Sequence, residues 1–102
     1  MQKEMLQLVE LVKNPDAYFL IDVRDPEDFK QYHVTHAINI PLLQLPDRVT
    51  EIAKDRIPVT ICGKGGGRST EGTLLLRQKG FTDALWLEGG TTGWINSQVN
   101  TM

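Results

Sequence analysis

Short apolar runs alternate with amphipathic segments along the 102-residue chain. Runs rich in β-branched and aromatic residues predict strands, because such side chains suit a pleated and buried backbone. Helical spacing of apolar residues, or a capping residue, predicts helices between them. The predicted strands are Tyr18–Val23, Ala37–Ile40, Pro58–Cys62 and Ala84–Leu87. The predicted helices are Met1–Val12, Asp25 through Tyr32, Gln44–Lys54, Ser69–Lys79, and a last one from Thr92 onward.

This alternation predicts an α/β fold with a mainly parallel central sheet and helices on both faces. The first helix is expected to bury one face made of Met5, Leu6, Val9 and Val12. The length suits a single domain over residues 1–102.

Composition and charge exclude several classes of partner. Lys plus Arg number 11 and Asp plus Glu 13, so the net charge of 11 − 13 = −2 gives no field that attracts nucleic acid or an anionic membrane. The apolar runs fall well short of the ~20 residues of a membrane span. Charges at Lys3, Glu4 and Glu10 do not fit a signal peptide, so a cytoplasmic location is expected.

The chain has one cysteine, Cys62. An intramolecular disulfide is therefore impossible, and so is a zinc site built on two or more cysteines.

The position of Cys62 is the informative feature, because a predicted strand ends there and a glycine-rich loop and a helix follow. Sites in open α/β sheets form beyond the carboxyl ends of strands, where a helix N-terminus offers free amides and partial positive charge. Glycines let successive amides turn inward around an anion, and an arginine adds a forked, charged donor. Such surroundings stabilise thiolates, which are the nucleophilic form of cysteine. The predicted anion-binding loop is Gly63, Lys64, Gly65, Gly66, Gly67 and Arg68, with Cys62 as the catalytic residue.

Other interpretations of this segment remain open. A cysteine at a strand end is often a small buried hydrophobe, and a glycine-rich turn can be purely structural. A nucleotide phosphate loop is disfavoured, since that motif ends in Gly-Lys-Ser/Thr, whereas here Lys64 comes early and Arg68 closes the loop.

Four segments in the right order resemble the rhodanese family. They are Leu20-Ile21-Asp22-Val23-Arg24 followed by Glu27 and Phe29; His33 to Pro41; Cys62 to Ser69; and Leu87-Glu88-Gly89-Gly90 with Gly93-Trp94. The resemblance implies a rhodanese-like fold and sulfurtransferase chemistry. The catalytic cysteine of the family corresponds to Cys62, whose thiolate would take the outer sulfur of a small anion such as thiosulfate. The persulfide would then pass its sulfur to cyanide, a thiol or a protein acceptor, without a cofactor.

The loop length departs from the commonest family pattern. Five residues separate Cys62 from Arg68, where many single-domain rhodaneses have four. The longer spacing is that of cell-cycle dual-specificity phosphatases and arsenate reductases with the same fold, and a wider ring of amides could admit phosphate or arsenate. Against this, the phosphatases usually have His where Ile61 stands. The alternatives to sulfur transfer are therefore a phosphatase, an arsenate reductase that uses an external thiol, and a non-catalytic binding module.

Residues outside the loop receive mainly structural interpretations. Asp22 and Arg24 end a strand near the site and are predicted either to support the loop or to form an ion pair that ties strand to helix. His33 is expected to form a structural hydrogen bond, and His36 to lie at the surface. The second family segment departs from the usual Gly, Pro and Gly, since it carries Tyr32, Thr35 and His36.

Overall fold

The computed structural model describes residues 4–100. Five strands form one parallel sheet in the order β1-β5-β4-β2-β3, which confirms the predicted α/β class. The strands are β1 (Met5–Leu6), β2 (Tyr18–Asp22), β3 (Ile38–Asn39), β4 (Ile57–Ile61) and β5 (Leu85–Leu87). The helices are α1 (Leu8–Lys13), α2 (Pro26–Gln31), α3 (Arg68–Gln78) and α4 (Gly90–Asn100), with 3₁₀ turns at Pro15–Ala17, Leu42–Asp47 and Val49–Glu51.

The centre of the sheet is the pair β2 and β4, which are in register from Tyr18 opposite Ile57 to Asp22 opposite Ile61. Successive residues of a strand point to opposite faces, so each central strand feeds two cores. Leu20 packs in the core beneath α1 and Trp94, whereas Ile21 packs with Leu76 of α3. The two strands therefore end level with each other, and the segments after them lie side by side.

The first predicted helix is wrong over part of its length. Met5–Leu6 is a strand that pairs with β5, and the helix starts only at Leu8. The strand resets the apolar pattern, so Leu6 and Leu11 are buried while Val9 and Val12 are 53% and 63% exposed. Met1–Lys3 lie outside the described residues.

The predicted helix over Gln44–Lys54 is also wrong. Two 3₁₀ turns occupy this segment, and Pro46 lies inside the first of them. The turn already begins at Leu42, so Pro46 lies beyond the first turn, where its missing N–H and its ring disfavour a continuous α-helix. Leu45 and Ile52 of this segment are nevertheless buried.

The elements that frame the site begin and end within two residues of their predicted bounds. β4 ends at Ile61, α3 begins at Arg68, and α4 begins at Gly90 rather than Thr92. No helix in the described part of the chain has the length and apolar character needed to cross a membrane.

Candidate active site

Cys62 directly follows the last residue of β4 and is 6% exposed. The chain then turns through Gly63–Gly67 and enters α3 at Arg68. The cysteine, the loop and the helix N-terminus are therefore brought together as the sequence predicts. Positive φ angles at Gly65, Gly66 and Gly67 (+87°, +77° and +47°) make this turn a conformation that favours glycine.

The main chain of α4 holds the start of the loop. The amide of Thr91 donates to the carbonyl oxygen of Cys62, and the amide of Thr92 to that of Gly63, both at 2.9 Å. These amides belong to the first turn of α4, which has no intrahelical acceptors for them. A Cβ on Gly90 would lie 2.5 Å from the Cys62 carbonyl oxygen, so this close approach requires glycine. Cys62 is thus fixed through its backbone, between a central strand and a second helix.

The sulfur of Cys62 faces a carbonyl oxygen and a hydroxyl group. Its Sγ atom lies 3.2 Å from the Gly66 carbonyl oxygen and 3.2 Å from Ser69 Oγ. Ser69 donates to the same Gly66 oxygen twice, from its hydroxyl at 2.8 Å and from its amide at 3.0 Å. The loop therefore differs at Gly66 from the predicted ring of inward amides, because an acceptor points at the sulfur there. In this arrangement the thiol is the donor.

A buried hydroxyl cluster fixes Ser69 from below. Thr60 Oγ1 on β4 donates to the carbonyl oxygen of Ser69 at 2.6 Å and shares a 3.0 Å hydrogen bond with Thr73 Oγ1 on α3. Gly72 leaves room for this contact, since a Cβ there would lie 3.0 Å from Thr60 Cγ2. Ser69, Thr60 and Thr73 are not among the residues that the sequence predicts for the site. Two features of the sequence could have indicated this cluster: the serine directly after Arg68, and the threonine one helical turn after that serine.

Two cationic side chains belong to this segment, since Lys64 lies within the loop and Arg68 begins α3. Lys64 and Arg68 are exposed. Neither side chain forms a hydrogen bond or ion pair with another residue in the part of the chain that the structure describes. The site thus combines a nearly buried sulfur with positive charge at its surface, in a protein whose net charge is −2.

Asp22 and Arg24 form a buried ion pair beside the loop. The guanidinium donates to both carboxylate oxygens, at 2.9 to 3.2 Å, and to the carbonyl oxygen of Tyr32 at 2.8 Å. The hydrogen bond with Asp22 raises the pKa of Arg24, against the opposing effect of burial. The pair ties the end of β2 to the end of α2. A supporting role for the two residues at Cys62 stays a prediction.

The two histidines lie where the sequence placed them. His33 Nδ1 is 2.7 Å from the carbonyl oxygen of Phe29, and the two rings stack with centroids 3.7 Å apart, which confirms a structural role. His36 is exposed and has φ +71°. This left-handed conformation is a physical reason for a glycine to be usual at that position.

No group of three or more His, Cys, Asp and Glu side chains within the described residues could hold a metal ion.

Comparison with known proteins connects this geometry to a family. The rhodanese-like domain model matches residues 3–97. A sulfurtransferase of Allochromatium vinosum is 32% identical over 87 residues, covering 85% of this chain and 80% of that protein. The thiosulfate sulfurtransferase GlpE of Pseudomonas syringae is 29% identical over 75 residues, covering 74% of this chain and 70% of its own. Some other relatives are longer, and this chain spans 21% to 59% of the length of these.

The fold also matches a solved structure of a rhodanese-related protein. A rhodanese-related protein of Thermoplasma volcanium superimposes with a TM-score of 0.82 at 29% identity, over 92% of each chain. The family match and the relatives named as sulfurtransferases support sulfur transfer as the general class of activity. On its sequence and its fold, this chain belongs to the rhodanese-like domain family.

Proposed function

We propose that the protein is a thiosulfate-type sulfurtransferase in which Cys62 carries the sulfur as a persulfide. The observation that carries the proposal is the position of Cys62, whose Sγ contacts the glycine loop between β4 and α3. The exposed side chains of Lys64 and Arg68 lie within and directly after that loop and have no partner among the described residues. An anionic donor gains from both cations, and the sulfur is the only thiol in the chain. The thiosulfate sulfurtransferase among its relatives also supports thiosulfate as the donor.

The reaction proceeds by two displacements at sulfur. After the thiol loses its proton to solvent, the Cys62 thiolate attacks the outer sulfur of thiosulfate. A new S–S bond forms, the old one breaks, and sulfite leaves with the electron pair. An acceptor nucleophile, cyanide or a thiolate, then attacks the outer sulfur of the persulfide. Thiocyanate or an acceptor persulfide is released, and the Cys62 thiolate is regenerated.

The first experiment is intact-protein mass spectrometry after incubation with thiosulfate. Wild type is expected to gain the mass of one sulfur atom, and Cys62→Ser is expected to gain nothing. Addition of cyanide should remove the added mass and release thiocyanate. No mass gain in folded wild type would contradict the proposal.

A second function is favoured by one specific observation, the five residues between Cys62 and Arg68. A longer loop can surround a tetrahedral oxyanion, so phosphate-ester hydrolysis or arsenate reduction with an external thiol is the competing proposal. The residue before the cysteine weighs against it, because Ile61 stands where the phosphatases usually have His. Hydrolysis of a phosphate ester that is lost in Cys62→Ser, without persulfide formation, would favour this function instead.

A further inference from the structure

The Ser69 hydroxyl lies within hydrogen-bond distance of two different groups. Its oxygen is 2.8 Å from the Gly66 carbonyl oxygen and 3.2 Å from Cys62 Sγ, and Ser69 has no exposed surface. A serine hydroxyl carries one proton, so it can donate to one of these groups at a time. With a neutral thiol the arrangement is satisfied, because the hydroxyl donates to Gly66 and the S–H group has two oxygen acceptors.

The pattern of donors and acceptors around the sulfur changes when the sulfur becomes an anion. A thiolate cannot donate, and it then faces the Gly66 carbonyl oxygen, which is also an acceptor, at 3.2 Å. The Ser69 hydroxyl can compensate by rotating its proton toward the sulfur, with no movement of a heavy atom. Gly66 loses little, since its carbonyl still accepts the Ser69 amide at 3.0 Å. A hydrogen bond to a charged sulfur is stronger than one to a neutral carbonyl, so the exchange favours the anion.

We propose that Ser69 is a positioning residue for Cys62, whose hydroxyl turns from the Gly66 carbonyl to the sulfur whenever that sulfur becomes anionic. The inference rests on the proposed function only for the identity of the substrate. The hydroxyl acts on the thiolate before any donor binds, so its effect does not require sulfur transfer.

The surroundings keep the Ser69 oxygen in place for this exchange. Thr60 Oγ1 holds the Ser69 carbonyl at 2.6 Å, and Thr73 holds Thr60 at 3.0 Å. Thr60, Ser69 and Thr73 are at most 1% exposed, which leaves water no direct route to replace the hydroxyl at the sulfur.

The test measures alkylation of Cys62 by iodoacetamide, a neutral reagent, across a range of pH. In Ser69→Ala the thiolate loses its donor, so we expect the rate at neutral pH to fall about tenfold and the whole rate–pH profile to move to higher pH. Ser69→Thr keeps a hydroxyl and is expected to return the profile toward that of wild type. Ser97→Ala is the matched control, because the Ser97 hydroxyl is bonded to Trp94 in α4, and no change is expected. Superimposable profiles for wild type and Ser69→Ala would overturn the proposal.

The charged groups around the site are common to all these variants. They are Lys64, Arg68 and Glu71 on the loop and α3, Glu88 ahead of α4, and the Asp22–Arg24 pair at the end of β2. A difference between Ser69→Ala and Ser69→Thr therefore reports the hydroxyl and not the surrounding field.

A measurement on wild type keeps the proposal testable should a Ser69 variant fail to fold. The single cysteine gives a single infrared S–H stretching band. We expect that band at lower frequency in the folded than in the unfolded protein, because the thiol donates to oxygen. We also expect it to vanish over the pH range in which alkylation accelerates. An S–H band at the unfolded frequency would overturn the inference.

The outcomes also separate this inference from the proposed function. If the rate–pH profile shifts in Ser69→Ala but wild type forms no persulfide with thiosulfate, the role of Ser69 is sustained and sulfur transfer from thiosulfate is rejected. If wild type forms the persulfide but the profile of Ser69→Ala is unshifted, sulfur transfer is sustained and the role of Ser69 is rejected.

Discussion

The neighbouring strands β2 and β4 end at the same edge of the sheet, but different kinds of contact hold the two ends. β2 ends in charged side chains that satisfy one another, since Asp22 and Arg24 pair and Arg24 also binds the carbonyl of Tyr32. β4 ends in a cysteine and a glycine loop that are held by main-chain contacts with α4. At the end of β2 the charged side chains are thus used in contacts within the protein. The end of β4 leaves the cations Lys64 and Arg68 without partners among the described residues.

The difference shows how a small domain separates support from chemistry. The paired side chains at the end of β2 hold one another in place, and their charged groups are therefore not free to bind a ligand. A loop held by its backbone keeps a fixed shape while its side chains stay available. Substitutions at the two ends should therefore have opposite effects on stability and on activity.

The largest loss of stability is expected at the end of β2. Asp22→Ala leaves the buried Arg24 guanidinium without its carboxylate, and breaking a buried pair in this way costs roughly 3 to 5 kcal/mol. Urea denaturation of wild type and variant measures the difference in free energy of unfolding. The control is the double variant Asp22→Ala with Arg24→Met, which removes the stranded charge and should lose less. Equal losses in the two variants would contradict the ion-pair explanation.

The next largest effect is expected where α4 meets the loop. Gly90→Ala combines a positive φ of +57° with a Cβ 2.5 Å from the Cys62 carbonyl oxygen, so we expect a loss of about 3 kcal/mol together with loss of persulfide formation. Gly80→Ala is the matched control, since it has φ +104° and no atom within 4 Å of an added Cβ. Its loss should be about 1 kcal/mol, with persulfide formation retained. If both variants lose the same amount, backbone strain and not the contact with Cys62 decides the effect.

The smallest change in stability is expected at the cation that begins α3. Arg68→Ala removes an exposed side chain without a described partner, so the free energy of unfolding should change by less than about 0.5 kcal/mol. The kcat/KM for thiosulfate should nevertheless fall by roughly 10- to 100-fold, because an anionic donor loses a charged, forked ligand. Arg68→Lys should recover only part of this loss, since ammonium lacks the fork. Unchanged kinetics in Arg68→Ala would place the donor elsewhere.

The frame of the site could be predicted from the sequence because its signals are local. The apolar runs of β2, β4 and β5, the glycines after Cys62 and the helix from Arg68 each lie within one short segment. β1 could not be predicted, because two residues become a strand only through pairing with Trp86 and Leu87, some eighty positions later. The direction of the Gly66 carbonyl and the Thr60–Thr73 contact also depend on how separate segments pack, and no periodicity encodes that.

The glycine content of the loop has a consequence for how recognition can change over time. From Gly63 to Gly67, Lys64 is the one residue that carries a side chain. Its neighbours are committed to the shape of the loop, through carbonyls bound by α4, through Gly65 packed against Gly89, or through positive φ. On the proposed function, a single codon can therefore alter which donor the site prefers while the rest of the loop keeps its shape. New specificity in this loop would then arise in one step, at position 64.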